Sequence, residues 1–212
     1  MVDLFFISDT HFHHTNSWKV FKRADGSPLR PFQSDEEMDE LMVQRWNETV
    51  SPSAHIYHLG DVTMHRSSTQ AKAFVAFMKR LHGHKRLVLG NHDQFPIKVY
   101  LAAGFEKVYA THVIDRVVLS HVPIHPNSVA RFRGNIHGHL HDGEPLKPVL
   151  WFKTDDPGRV HVTPYVNITV EHTDYRPLTW KAVLARLAAA GETSLVPQTS
   201  PPVQQEPVPS HE

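Results

Sequence analysis

Five short motifs, most of them directly behind an apolar run of strand length, constrain this chain more than any other feature. They are Asp9-Thr10-His11, Gly60-Asp61, Gly90-Asn91-His92-Asp93, His121 within Leu119-Ser120-His121-Val122-Pro123, and His137-Gly138-His139-Leu140-His141. Strands that each deliver one or two donors from their carboxyl ends are how an α/β protein assembles a site. Asp9, Asp61, Asn91, His11, His121, His139 and His141 make a mixed nitrogen and oxygen donor set. Such a set suits two hard-to-borderline cations that share a carboxylate.

The periodicities between the motifs support that frame. Leu4 to Ser8 reads as a buried strand ending at Asp9, followed by a loop that carries His11, His13, His14 and Asn16. Ser34 and Glu37 form a capping-box pattern ahead of Met38, Leu41, Met42 and Trp46, which fall on one helical face. Ile56 to Leu59 is the next strand. A helix from about Ser68 to His82 follows, with Ala71, Phe74, Val75, Met78 and Leu81 as its stripe and Gly83 as its cap. Leu87 to Leu89 is a third strand, and Ile97 to Ala103 a short helix ended by Gly104. This alternation is that of βαβ units.

The second half reads differently. Val108 to Ala110, Val113 to Ser120, Asn135 to His137 and Val166 to Val170 are expected strands, and Asp156-Pro157-Gly158 a turn. A last helix is expected from Leu178 to Ala190, with Gly191 beyond it. The expected organisation is one domain over residues 1–190 and a tail over 191–212, rich in Pro, Gln and Ser and too poor in apolar residues to pack.

Each motif has a plainer reading beside its chemical one. If the chain stays extended past the first strand, Asp9 and His11 project to the same side. Alone they read better as a polar loop. Gly60 permits a sharp turn that aims Asp61 into a cleft, although a turn Asp often only caps the next segment. In Gly90-Asn91-His92-Asp93 the Asn oxygen can ligate a cation while His92 faces a substrate and Asp93 holds that imidazole protonated. The plainer alternative is an Asx turn. Gly138 allows close approach, and His139 and His141 project together. His121 alone would most often satisfy a core hydrogen bond. Taken jointly, the plain readings require five loops to gather ligand-type residues by accident.

Composition bounds the rest. The 212 residues suffice for one sizeable core or at most two small ones. Lys+Arg and Asp+Glu both number 22, so no overall field draws the chain to nucleic acid or anionic lipid. With no cysteine, disulfides, thiolate zinc sites and a Cys nucleophile are excluded. The apolar run Leu4-Phe5-Phe6-Ile7 is too short for a signal-peptide core or a membrane span, so a soluble cytoplasmic protein is expected. Of the 18 His, His82, His84, His161 and His172 read as ordinary surface residues.

The five motifs, in this order, resemble those of the calcineurin-like metallophosphoesterase superfamily: Asp-x-His, Gly-Asp, Gly-Asn-His-Asp/Glu, a lone His and Gly-His-x-His. Short bacterial and phage members look most similar, through Ile7-Ser8-Asp9-Thr10-His11-Phe12 and Tyr175-Arg176-Pro177-Leu178. The resemblance implies an α/β fold of two mixed β-sheets packed face to face and flanked by helices, a four-layer α/β/β/α sandwich. It implies that Asp9, His11, Asp61 and His141 hold one metal and that Asp61, Asn91, His121 and His139 hold the other. His92 would be the acid facing the substrate and Asp93 its orienting partner. The Val-Asp-Arg-Gly continuation of the protein phosphatase branch is replaced by Val62-Thr63-Met64-His65-Arg66, which removes that branch's phosphate-clamping Arg from register.

The implied activity is hydrolysis of phosphate esters, preferentially phosphodiesters, by a hydroxide bridging two divalent ions. Manganese is the first candidate, with iron, zinc, nickel and cobalt as others. The substrate would be a small phosphate ester or nucleotide, with no membrane and no obligate nucleic-acid partner. A phosphomonoesterase or a nuclease on the same site, and a non-catalytic scaffold, are the rival classes. His13, His14, His125, Arg131 and Arg133 lie in the loops expected to set the substrate.

Overall fold

The strands form where the apolar runs stand, and the computed structural model describes residues 3–153 and 156–193. The first half of the chain contains β1 (Leu4–Ile7), α1 (Thr15–Lys19), α2 (Asp35–Thr49), β2 (His55–His58), α3 (Ser68–Met78), β3 (His84–Val88), α4 (Ile97–Ala102) and β4 (Phe105–Tyr109). After it come β5 (His112–Ile114), β6 (Val117–Leu119), α5 (Pro126–Val129), β7 (Gly134–His137), β8 (Val149–Lys153), β9 (Asp156–Thr163) and β10 (Tyr165–Asn167). A 3-10 turn (Val170–His172), β11 (Leu178–Thr179) and α6 (Trp180–Thr193) complete the described residues.

Two mixed sheets carry the fold. One has the order β11-β1-β2-β3-β4, parallel except for β11, and the other the order β10-β7-β6-β5, in which β5 alone runs antiparallel to its neighbour. A two-stranded β8-β9 hairpin stands apart. Because side chains alternate along a strand, the first sheet feeds two cores. Phe5, Ile7, Ile56 and Leu87 pack with Met38, Met42 and Trp46 of α2, Phe74 and Met78 of α3, and Tyr100 of α4. Phe6, Tyr57 and Val88 pack instead with Val117, Leu119, Ile136 and Val166 of the second sheet and with Val183 and Leu187 of α6. Burial on both faces explains why these strands read as unbroken apolar runs. Each buried Phe or Ile contributes roughly 1.5–3 kcal/mol.

Helix α2 starts as its sequence predicts, with Ser34 Oγ accepting from Glu37 N at 3.0 Å. The second half of the box differs, because the Glu37 carboxylate accepts from Gln33 N rather than from Ser34. Helix α3 is shorter than expected. The carbonyls of Arg80, Leu81 and His82 are taken by the side chains of Asn47, Lys85 and Trp46, so nothing demands another helical turn. Gly83, at φ +89°, belongs to the turn into β3 and not to a helix cap.

Three other boundaries differ. The single strand expected over Val113 to Ser120 is two, β5 and β6. Asp115 and Arg116 both adopt left-handed backbones there, as a two-residue hairpin turn requires. Asp156-Pro157-Gly158 begins β9 instead of forming a turn, and β10 stops at Asn167. Helix α6 continues through Gly191 to Thr193, while the tail beyond it lies outside the described residues. The short helices α1 and α5 had no periodic signal. Among the described residues, no helix is long and apolar enough to cross a membrane.

Candidate metal centre

The carboxyl ends of β1, β2, β3, β6 and β7 come together, and each is followed by one of the motifs. Backbone bonds join the loops: Asp9 N donates to Gly60 O, His11 N to Asp61 O and Gly138 N to His121 O, at 2.9–3.0 Å. Two glycines permit the approach. A Cβ on Gly60 would lie 2.6–2.7 Å from Gly90 N and Cα and from His121 Nδ1, and its φ is +94°. A Cβ on Gly138 would run into Asp9 Oδ2 and Ser8 Oγ.

The side chains do not converge by strand alternation. Asp9, His11, Asp61, His139 and His141 all have φ between 46° and 70°, the left-handed region. The extended geometry expected for Asp9 and His11 is therefore wrong. A left-handed residue at each donor swings the chain back, so both side chains face inward from a loop. Such backbones cost about 1–3 kcal/mol each for residues other than glycine and persist only where their surroundings hold them.

Five of the seven expected donors fall in two groups that share Asp9, and Asn91 and His139 stand beside them. Asp9, His11 and His141 offer ligand atoms within 4.8 Å of one another, as do Asp9, Asp61 and His121. Asp61 Oδ2 stands 3.5 Å from His11 Nε2 and 3.3 Å from His121 Nε2. Asn91 Oδ1 lies 2.9 Å from His121 Nε2 and 3.0 Å from His139 Nδ1. Asp9, His11, Asp61 and His121 are at most 3% exposed. Both ring nitrogens of His11 are buried without a hydrogen-bond partner among the described residues. An orphaned imidazole facing two carboxylates fits a cation and is expensive without one.

The electrostatics agree with that fit. Burial pulls His11 below its ordinary value against Asp9 and Asp61, keeping the ring neutral as a ligand must be. Burial alone would lower His121 too, but Asp61 and Asp9 push it up to about 9. Asp9 and Asp61 are both held below the usual carboxylate range: burial raises them, and the surrounding His side chains outweigh it. This buried pocket draws positive charge.

His92 and Asp93 follow the donors but do not pair. Asp93 Oδ2 accepts from Asp61 N and Gly90 N, both at 2.8 Å, and Oδ1 from Val62 N at 3.1 Å. Its expected role as partner of the His92 ring is corrected, because the backbone turns of two motifs consume the carboxylate. Burial pushes Asp93 up to about 6 against those three donors. His92 stands edge-on to His11, ring centres 5.5 Å apart, and among the described residues its ring has no hydrogen-bond partner.

Of the expected substrate-loop residues, only His14 meets a donor ring, 5.3 Å from His11. The His13 ring is 2.8 Å from Asp39 of α2, which also accepts from His13 N. His125 caps α5, Arg131 lies over Phe132, and Arg133 pairs with Asp115. Three supporting residues stand outside the five motifs. Arg30 and Glu171 are buried against the first motif, and His58 meets Thr10 Oγ1 at 3.0 Å. Arg30 and His58 signal only as a polar residue among apolar neighbours, and Glu171, beside His172 and Thr173, carries no such signal.

The chain is similar to the uncharacterized protein MJ1445 of Methanocaldococcus jannaschii, 35% identical over 95 residues, which are 45% of this chain and 49% of that protein. It is 29% identical to the Gene 66 protein of Mycobacterium phage L5 over 93 residues, 44% of this chain and 41% of that protein. The matches thus span about half the length of these curated relatives or less. Among solved structures, the protein of unknown function AQ665 from Aquifex aeolicus shares the fold. It has a TM-score of 0.56 and 24% identity, over 88% of this chain and 100% of that one. No family model matches the chain.

Proposed function

We propose that this chain is a calcineurin-like metallophosphoesterase that hydrolyses phosphate esters, phosphodiesters in preference, at a centre for two divalent cations. The observation that carries the reading is Asp61 Oδ2, which stands between His11 of the first sheet's loops and His121 of the second's, at 3.5 and 3.3 Å. One carboxylate oxygen between two donors is what a shared ligand requires. Asp9, His11, Asp61 and His141 would hold one ion, and Asp61, Asn91, His121 and His139 the other. Manganese is the metal to try first. On this reading the two sheets are the inner layers of a four-layer α/β/β/α sandwich, and the substrate is a small phosphate ester or nucleotide in the cytoplasm.

When bound, the ions supply Lewis-acid charge that acidifies water and offsets the phosphate's own charge. The side chains do the rest. Hydrolysis joins the water oxygen to phosphorus, breaks the ester P–O bond and leaves an oxygen that needs a proton. We assign that proton to His92, whose ring stands beside His11 and has no hydrogen-bond partner among the described residues. Asp93 fixes the loops on which Asp61 and His92 ride. The preference for diesters follows from charge. A monoester dianion calls for a cationic clamp, yet Arg30 is turned toward backbone carbonyls and Arg133 toward Asp115.

The test is hydrolysis of bis-p-nitrophenyl phosphate with manganese, beside p-nitrophenyl phosphate and single-stranded DNA. His92→Ala should lower turnover roughly 10²- to 10⁴-fold with its metal retained. Asp61→Ala should lose both metal and turnover. A metal-loaded wild type inert toward every mono- and diester would overturn the proposal.

A further inference from the structure

We propose that Arg30 and Glu171 form a buried brace for one half of the centre alone, the half built from Asp9, His11 and His141. In it, Glu171 is a positioning residue for His141. This rests on the metal-binding reading above.

Arg30 comes from the segment between α1 and α2, and Glu171 from the 3-10 turn, 141 residues later. Both side chains are 0% exposed. Arg30 donates through Nη2 to Asp9 O at 2.6 Å, through Nη1 to Thr10 O at 2.8 Å and through Nε to Glu171 Oε1 at 2.8 Å. The same Glu171 oxygen is 3.2 Å from His141 Nδ1. One guanidinium therefore ties the Asp9 loop to the carboxylate that holds the His141 ring.

A buried ion pair is a poor device for stability. Removing both ions from water costs about as much as their attraction returns, and apolar residues of similar volume often do as well. What these charges do here is directional: apart from a contact of Arg30 Nη1 with Met38 Sδ, the bonds they make outside the pair lead to donor loops. His141 donating from Nδ1 keeps its Nε2 lone pair free for a cation, the usual work of a carboxylate behind a ligating His. Asp9 and His141 both hold left-handed backbones, at φ 58° and 48°, that something outside the loop must restrain. The other half has a different support: His121 Nδ1 lies 2.9 Å from Leu59 O, and Asn91 and His139 meet each other. Neither Arg30 nor Glu171 bonds to it.

The test is manganese(II) titration of the metal-free full chain by calorimetry, with metal analysis after desalting. Wild type should bind two ions per chain. Glu171→Gln, which keeps the shape and removes the charge, should weaken one site roughly 10- to 100-fold and leave the other unchanged. Glu171→Gln added to His141→Ala should cost no more than His141→Ala alone, whereas added to Asn91→Ala it should leave both sites weakened. If Glu171→Gln does not fold, the paired change Arg30→Met with Glu171→Met removes both charges and should show the same one-site loss. Equal weakening of both sites, no weakening, or additivity with His141→Ala would each overturn the brace. A wild type that binds no cation defeats the metal reading itself, and the brace with it.

Discussion

The two halves of the centre are built on opposite principles. Around Asp9 and His11 the side chains are buried, His141 is partly so, and the support is ionic, through Arg30 and Glu171. Around Asn91 and His139 the side chains reach solvent, and the support is neutral: a carbonyl behind His121 and an amide between two imidazoles. The difference teaches where rigidity is needed. A buried donor without a partner is expensive, so the deep half must be fixed by strong, directed bonds. The outer half can exchange its contacts for water, and under the proposed function it is the side open to a substrate.

The largest break in this contrast should come from Gly138→Ala. The added methyl occupies the space of Asp9 Oδ2 and Ser8 Oγ, and Asp9 is also held by His139 N at 3.0 Å. Both halves move, so metal content and turnover should fall at least about 100-fold, in line with the cost of misplacing a reacting group by roughly 1 Å. Metal analysis and diester kinetics on the same sample would check it. Wild-type levels of both would show that the loops are looser than their contacts imply.

A middle-sized effect should appear in acid. His58 backs the deep half through Thr10, and burial holds it down to about 3 from its ordinary 6.5, despite Asp9 and Asp61 nearby. Its folded pKa lies below its unfolded one, so the unfolded chain binds the extra proton. The stability is fully present above pH 6.5 and is lost as pH falls toward 3. The slope from this group is roughly 1.4 kcal/mol per pH unit. Urea midpoints of the metal-free chain at pH 7, 6 and 5 measure it, with His58→Gln expected to flatten the acid limb. An unchanged slope in that variant would assign the effect elsewhere.

The smallest effect concerns strain in the outer half. His139 has φ 70°, a conformation that glycine adopts freely. His139→Gly should therefore lose one of the two metal ions yet leave the metal-free protein as stable as before, or more stable by about 1 kcal/mol. Urea melts with a chelator present would show it. A loss of 2 kcal/mol or more would mean that the His139 ring supports the fold.

Much of this molecule was legible in its sequence, and the failures are instructive. The runs ending at Asp9, Asp61 and Asn91 marked strands because parallel strands buried on both faces carry unbroken apolar sequence. The donors were legible because few chains repeat ligand-type residues behind such runs. Their geometry was not. Alternation put Asp9 and His11 on one side of an extended chain, whereas both are left-handed residues whose backbones are held by contacts with Gly60 and Asp61. Asp93 read as the partner of His92, but the turn's own N–H groups claimed it. Helix α3 ends before its apolar periodicity does, because its terminating partners, Asn47, Trp46 and Lys85, lie on other elements.

What the sequence determined alone was therefore the local grammar: which runs are strands, which faces of α2 and α6 are apolar, and which side chains are fit to bind a cation. These follow from propensity, periodicity and donor chemistry, all short-range properties. Only the tertiary structure decided that five loops meet at one edge of two sheets, that Asp61 stands between them, and that Arg30 reaches Glu171 across 141 residues. Contacts of that span depend on how the sheets pack, and no local pattern encodes them.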